Sequence, residues 1–93
     1  NYRLNMLGFL FLNSSDAPGN QGLLDQHLAI KWVFDNIEYF GGDNNRITLF
    51  GDSAGGASSS FHLFSPLTEP YFHNAIMQSG TAIGYAALAD RNQ

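Results

Sequence analysis

The chain has 93 residues, of which 44% are hydrophobic and 14% aromatic, so it can bury a modest core and form at most one domain. Four basic residues against eight acidic ones give a formal net charge of −4 without a basic patch, which argues against nucleic acid as a partner. The apolar runs fall short of the roughly 20 residues that a membrane-spanning helix needs.

The amino-terminal part of the chain predicts a strand, a loop and a long helix. The apolar run Leu4–Leu12 predicts a strand in its first half and a strand or loop in its second. The polar stretch 13–22 contains a proline and two glycines and predicts a loop. From Leu23 to Phe40 apolar residues recur at helical spacing, which predicts an amphipathic helix. Gly41 and Gly42 then supply the left-handed residue that ends it.

The carboxyl-terminal part predicts two strands separated by a second helix. The strands are "RITLFG" and "AIMQSG", the helix runs from just after Ser53 to about Phe64, and "YAALADRNQ" resembles the beginning of a further helix. This order predicts an α/β fold with a central, mostly parallel sheet and flanking helices. Ser53 then lies at the carboxyl end of a central strand, where open α/β sheets hold their active sites.

The stretch "LFGDSAGGASSS", residues 49–60, presents Ser53 in a sharp turn between a strand and a helix. Gly51 and Gly55 flank it as G-x-S-x-G, the pattern of a nucleophile elbow, whose strained turn leaves little room for side chains two positions away. At the positive helix terminus, the backbone N–H of Ala54 is a candidate oxyanion-hole donor. The pattern also occurs by chance in Gly- and Ser-rich loops, so the surrounding sequence is needed to decide whether Ser53 is a nucleophile.

The context is a family resemblance that extends over nearly the whole chain. The run "FGGDNNRITLFGDSAG" resembles the active-site signature of the type-B carboxylesterase/lipase family. The stretches "NYRLNMLGFL", "APGNQGLLDQHLAIKWVFDNI", "HLFSP" and "MQSG" are similar to parts of cholinesterases, carboxylesterases and bile-salt-activated lipases. The resemblance implies an α/β-hydrolase fold, of which residues 1–93 form an internal fragment of a single catalytic domain.

The resemblance also implies a reaction, in which Ser53 attacks a small-molecule carboxylic ester and an acyl-serine intermediate is hydrolysed by water. The family's triad acid and histidine lie downstream, so we expect neither in this chain. His27, His62 and His73 are interpreted as packing or surface residues. We predict no metal and no other cofactor.

Four further residues receive roles only through the resemblance. Asp52 stands where cholinesterases have a glutamate that faces the active-site gorge, and it either stabilises a cationic substrate and the catalytic histidine or only orders water. Ser79 matches a serine behind the active site, although a serine that caps a turn is an equal alternative. Arg3 and Asp25 match an internal salt bridge between the first strand and the long helix, and we expect it to be buried.

Several questions stay open at the level of sequence. The enzyme is either a broad carboxylesterase/lipase or a cholinesterase, and Tyr85 is a candidate substitute for a tryptophan that vertebrate cholinesterases have near the acyl pocket. The alternative function is a non-catalytic adhesion protein of the same fold. The sequon Asn13-Ser14-Ser15 predicts N-glycosylation and a secreted or cell-surface protein, although such triplets also arise by chance. Oligomeric state stays undetermined, and we expect the isolated piece to fold poorly and be inactive.

Overall fold

A computed structural model of the chain describes residues 1–83. The elements in chain order are α1 (Asn5–Phe9), β1 (Phe11–Ser14), β2 (Ala17–Pro18), α2 (Gln21–Asn36), a 3₁₀ turn (Ile37–Phe40), β3 (Thr48–Asp52), α3 (Ala54–Leu63), a second 3₁₀ turn (Glu69–Tyr71) and β4 (Asn74–Gln78). Tyr85 and the helix expected at the end of the chain lie outside the described residues. Within residues 1–83, no helix is long and apolar enough to cross a membrane.

The β3–α3–β4 unit is the part of the fold that positions Ser53. Strands β3 and β4 pair in parallel, from Thr48 opposite Asn74 to Asp52 opposite Gln78. Helix α3 connects them and contacts both strands. The parallel pairing predicted for this part of the chain is therefore confirmed, and the two strands end side by side at one edge of the sheet.

The first half of the run Leu4–Leu12 forms helix α1 rather than a strand, so that prediction is wrong. Asn5 begins the helix with a φ of 53°, in the left-handed region, which an extended strand does not visit. Gly8 is buried against the chain just before it, where a Cβ would lie 2.1 Å from the carbonyl oxygen of Arg3. The turn is therefore fixed by a close backbone contact, a feature that hydrophobic periodicity does not report.

The second half of that run forms β1, which pairs with β2 in a small antiparallel hairpin. The hairpin lies partly in the stretch 13–22, which we expected to be a loop. Its two strands form a sheet separate from that of β3 and β4. The amino-terminal apolar run thus contributes no strand to the parallel sheet within the described residues.

The long amphipathic helix is confirmed, with α2 and the first 3₁₀ turn extending to Phe40. Gly41 ends it with a φ of 83°, and its N–H donates to the carbonyl oxygen of Glu38. The N–H of Gly42 donates to Ile37 in the same way, at 2.9 Å. The sequence thus specified both the helix and its left-handed stop.

A buried polar network joins α2 to α3. His62 is 5% exposed, and its Nε2 lies 2.9 Å from Oε1 of Gln26, whose amide nitrogen donates to Ser58. Nδ1 of His62 and Nδ1 of His27 each lie 3.1 Å from the Thr68 hydroxyl oxygen. Burial, and secondarily the nearby His27, lower the pKa of His62. A neutral His62 accordingly serves to pack the two helices together.

The hydrogen bonds fix the direction of each proton in this network. An amide oxygen only accepts, so His62 carries its proton on Nε2 and accepts at Nδ1. The Thr68 hydroxyl must then donate to His62 and accept from Nδ1–H of His27. The hydroxyl of Thr68, a residue that is 1% exposed, therefore satisfies two imidazoles.

Candidate active site

Ser53 occupies the turn between β3 and α3 with a φ of 54° and a ψ of −115°. Such a conformation costs on the order of 1–3 kcal/mol in a non-glycine residue and is typical of active-site turns. Its N–H donates to the carbonyl oxygen of Gln78 at 2.7 Å, and its own carbonyl oxygen accepts from the N–H of Ala57 at 3.0 Å. The backbone of Ser53 is thus held by both β4 and α3, while the residue is exposed.

The two flanking glycines contribute differently to this turn. A Cβ on Gly51 would lie 2.3 Å from the backbone carbonyl carbon of Gly55, a distance that folded proteins do not tolerate. A Cβ on Gly55 would meet no described atom within 4 Å beyond its chain neighbours and the nearby backbone of α3. Strand β3 and helix α3 therefore approach so closely that residue 51 must lack a side chain. Gly55 contributes the helix backbone that lies against Gly51.

Ala54 is the first residue of α3, a helix of ten residues. The N–H of the first residue of a helix has no intrahelical acceptor and lies at the positive end of the helix dipole. Ala54 is exposed and follows Ser53 directly, so its N–H is available beside the serine side chain. The arrangement can stabilise negative charge that develops on a group bound to Ser53.

Asp52 and Ser79 lie at the same edge of the sheet. Asp52 ends β3 opposite Gln78, the last residue of β4, so that Ser53 and Ser79 both follow paired strand ends. Ser79 also has a positive φ, of 56°, and both Asp52 and Ser79 are exposed. The fold therefore brings Asp52, Ser53 and Ser79 to one edge, where two neighbouring non-glycine residues have strained backbones.

The three histidines have other positions and contacts. His62 and His27 belong to the buried network between α2 and α3. His73 is exposed, and its Nδ1 accepts from the N–H of Ile47 at 3.3 Å, at the start of β4 and hence a full strand length from Ser53. Among residues 1–83, no group of three or more His, Cys, Asp or Glu side chains could hold a metal ion.

Arg3 and Asp25 form a two-pronged ion pair, with Nε to Oδ2 and Nη2 to Oδ1 each at 2.9 Å. The backbone N–H of Arg3 also donates to Asp25, at 3.0 Å. Hydrogen bonds from Arg3 lower the pKa of Asp25 to about 2. The side chains are 55% and 26% exposed, so our expectation of a buried pair is wrong. The pair joins the segment before α1 to the first turns of α2 while remaining in contact with solvent.

Asn13 lies near the end of β1, on the small hairpin. It has a φ of 53°, and the three sequon residues Asn13, Ser14 and Ser15 are all exposed. The side chain is therefore accessible to a modifying enzyme in the described part of the chain.

Two residues that contact Ser53 were missed from the sequence. One is Gln78, whose carbonyl oxygen accepts the Ser53 N–H, and the other is Gly80, where a Cβ would lie 2.1 Å from the carbonyl oxygen of Ser53. The signal for Gly80 was a lone glycine at the end of the predicted strand "AIMQSG", since a glycine within a strand pattern often marks close backbone approach. Nothing in the residue type of Gln78 indicates its role, because its main chain makes the contact.

Comparison with known proteins gives one consistent family. The sequence pattern described as "Carboxylesterase family" matches residues 1–93. The chain is 56% identical over 92 residues to "Acetylcholinesterase 1" of Caenorhabditis elegans, covering 99% of this chain and 15% of that protein. It is 52% identical over 93 residues to "Cholinesterase 1" of Branchiostoma lanceolatum, covering 100% and 26% respectively. It is 55% identical over 83 residues to "Juvenile hormone esterase" of Tribolium castaneum, covering 89% and 14%. The chain thus spans about a quarter or less of the length of these relatives.

Proposed function

The chain belongs to the carboxylesterase family, and from this premise we propose that Ser53 is the nucleophile of a serine carboxylic-ester hydrolase. The observation that carries the proposal is the strained, exposed Ser53 at the carboxyl edge of the parallel strands. The proposed protein is longer than this chain, which supplies the elbow region of a single α/β-hydrolase catalytic domain. The similarity to full-length esterases over a short part of their length supports that interpretation.

The proposed reaction follows from the groups around the elbow. Oγ of Ser53 attacks the ester carbonyl carbon while a base from the longer protein takes its proton. The resulting oxyanion accepts a hydrogen bond from the N–H of Ala54, the free first-turn donor of α3. Collapse of the tetrahedral intermediate releases the alcohol and leaves an acyl group on Ser53. Water then attacks that acyl group, releasing the acid and restoring the hydroxyl.

Asp52 contributes negative charge next to the nucleophile. Because it is exposed and adjoins Ser53, we assign it to the wall of the substrate site, where it favours a positive charge on the substrate or on the catalytic base. Its removal by Asp52→Asn is expected to lower kcat/KM a few-fold more for a cationic ester than for a neutral ester with the same acyl group. If kcat/KM falls equally for both esters, the remaining role for Asp52 is to order water. Ser79 supports the same edge from the neighbouring strand end.

The specificity for the leaving alcohol is the next question for this site. Relatives named as an acetylcholinesterase and as a juvenile hormone esterase are 56% and 55% identical to this chain, so this segment does not separate the two classes. A panel of thioesters that share an acetyl group, with acetylthiocholine as the cationic member and an uncharged thioester of equal length, measures the preference directly. A ratio of kcat/KM near one indicates a broad esterase, and a large ratio indicates a choline esterase.

The experiment that tests the proposal is covalent labelling of the longer protein. The protein is treated with a fluorophosphonate and digested with trypsin, and the peptide from Ile47 to Arg91 is weighed and sequenced. We expect one phosphonyl group on Ser53. Five other serines in that peptide serve as internal controls, and Ser53→Ala is the matched unreactive variant. An unlabelled peptide, beside a control esterase that is labelled, overturns the proposal in favour of a non-catalytic binding protein.

We also assign the protein to the secretory pathway, as a secreted or cell-surface glycoprotein. The support is the exposed sequon at Asn13 on the β1–β2 hairpin. The test is enzymatic deglycosylation of the longer protein in heavy-oxygen water, which converts a glycosylated Asn13 into labelled aspartate in the tryptic peptide Leu4–Lys31. Asn13→Gln is the control. An unmodified peptide from secreted protein contradicts glycosylation at Asn13, and absence of the protein from the medium and the cell surface contradicts the secretory assignment.

A further inference from the structure

We propose that the segment from Gln78 to Ala82 is a backbone seat that fixes the position of the nucleophile, and that Gly80 is its positioning residue. We call this segment the elbow seat. The inference rests on the proposed function, because it concerns the reactivity of Ser53. The proposal adds Gly80 to the site, in a role that depends on its having no side chain.

The first support is the contact between Gly80 and Ser53. A Cβ on Gly80 would lie 2.1 Å from the Ser53 carbonyl oxygen and 3.0 Å from its carbonyl carbon. Real Cβ atoms essentially never lie closer than 3.0 Å to such an atom, so a side chain requires a displacement of at least about 0.9 Å. The Ser53 carbonyl group thus occupies the space that the Cβ of any residue other than glycine would need at position 80.

The second support is that Ser53 has little freedom to move away. Its carbonyl oxygen already accepts from the N–H of Ala57 in the first turn of α3, and its N–H donates to Gln78 at 2.7 Å. Strand β3 is in register with β4 up to the residue before Ser53. Displacing the carbonyl therefore strains hydrogen bonds on both sides of the nucleophile.

The third support is that the elbow seat is also anchored beyond Gly80. The N–H of Ala82 donates to Oγ of Ser60 at 3.0 Å, and the two residues are 9% and 4% exposed. A Cβ on Gly56 would lie 2.9 Å from the carbonyl oxygens of both Gln78 and Gly80, which shows how closely the seat lies on α3. The seat is held at both ends, so added bulk at Gly80 is transmitted to the elbow rather than absorbed by a free loop.

The consequence concerns the rate of the chemical step. The backbone of Ser53 positions both its own Oγ and the following N–H of Ala54, so a shift of its carbonyl misaligns nucleophile and oxyanion donor together. A misplacement of about 1 Å in an aligned site can cost about 10²-fold in rate. Binding of the ester to the rest of the site does not require the alignment of Ser53 Oγ with the N–H of Ala54.

The test is Gly80→Ala in the longer protein. Active sites are counted by complete fluorophosphonate titration, and kcat and KM are measured per titrated site. We expect kcat and the labelling rate constant to fall by about 10- to 100-fold, with KM unchanged within about threefold. The label should still be found on Ser53, because the serine is misplaced and not removed.

The matched control is Gly8→Ala. A Cβ there would also lie 2.1 Å from a backbone carbonyl oxygen, that of Arg3, which is not part of the elbow. This variant is expected to lower thermal stability and yield while keeping kcat per titrated site. If Gly8→Ala lowers kcat per site by the same factor as Gly80→Ala, the role of Gly80 is only structural and the proposal is overturned.

A second pair of variants serves if Gly80→Ala does not fold. Ser60→Ala releases the anchor at Ala82, whereas Ser59→Ala removes a neighbouring buried hydroxyl that donates to Gly55 within α3. We expect a several-fold lower kcat only for Ser60→Ala. The elbow seat is refuted if Gly80→Ala and Ser60→Ala both keep the wild-type kcat per site. If Gly80→Ala does not fold, a wild-type kcat per site in Ser60→Ala alone refutes it. An unaltered protein that never reacts with the probe refutes the proposed function itself, and the inference with it.

Discussion

Excision of residues 1–93 from the longer protein is expected to abolish cooperative folding. Among the described residues, only Ala17, Phe72 and Ala82 are buried apolar side chains, whereas thirteen large apolar or aromatic side chains are more than half exposed. Phe50 on β3 and Ile76 on β4 are 75% and 53% exposed, although the strands that carry them should lie inside an α/β sheet.

The magnitude follows from that exposed surface. Leaving each of these side chains mostly in water forgoes about 1–2 kcal/mol, and the group forgoes on the order of 15 kcal/mol. Even when half of this is ordinary apolar exposure, the rest is comparable with the whole net stability of a domain, about 5–15 kcal/mol. The isolated chain therefore lacks the burial that a two-state transition requires.

The assay compares the isolated chain with the longer protein by near-ultraviolet circular dichroism, thermal melting and binding of a hydrophobic dye. We expect the isolated chain to bind dye, to lack a near-ultraviolet signal and to melt without a sigmoidal transition. It should also hydrolyse no ester. A cooperative melt with a fixed aromatic signal would refute the reasoning, since it would show that the exposed surface is not needed for stability.

Three further predictions concern polar contacts, each measured by thermal unfolding of the longer protein. Thr68→Val is expected to cost about 1–3 kcal/mol, because His62 and His27 lose their shared hydroxyl, whereas Thr68→Ser retains most of the stability; equal costs contradict the network. Because the pKa of His62 is lowered from its ordinary value near 6.5, stability is complete above that pH and declines as the pH falls below it, and His62→Asn should flatten this decline. Because Arg3 holds the pKa of Asp25 at about 2, the pair stabilises the fold above about pH 4 and is lost between pH 4 and 2. Asp25→Asn should remove that acid-dependent part while leaving the slope near pH 6 unchanged.

The local patterns of the sequence predicted the parts of the fold that depend on neighbouring residues. Helical spacing from Leu23 to Phe40 and the stop at Gly41 are reproduced by α2 and its 3₁₀ turn. The strand before Ser53 and the helix after it also lie where the pattern placed them. These features follow from periodicity and backbone preference, which a single sequence contains.

Contacts between distant residues could not be predicted in this way. Helix α1 depends on the contact of Gly8 with the backbone of Arg3, and a five-residue helix is too short for a periodic signal. The exposure of the Arg3–Asp25 pair depends on tertiary packing that the pairing itself does not specify. The contact of Gly80 with Ser53 joins backbones 27 positions apart, and the glycine at the strand end does not indicate which distant residue it touches.

The hydrogen bond from Ser53 to Gln78 has a consequence for the order of events during synthesis. The strained conformation of Ser53 is maintained by a strand that leaves the ribosome 25 residues later, and the anchor at Ala82 is later still. Until β4 pairs with β3, the Ser53 N–H lacks its acceptor on Gln78, and in the described chain the turn is held only from the α3 side, by the hydrogen bond from Ala57. A nascent chain that ends before residue 78 therefore carries the complete G-x-S-x-G pattern with only half of the hydrogen bonds that hold Ser53, and the elbow is complete only after the neighbouring strand has docked.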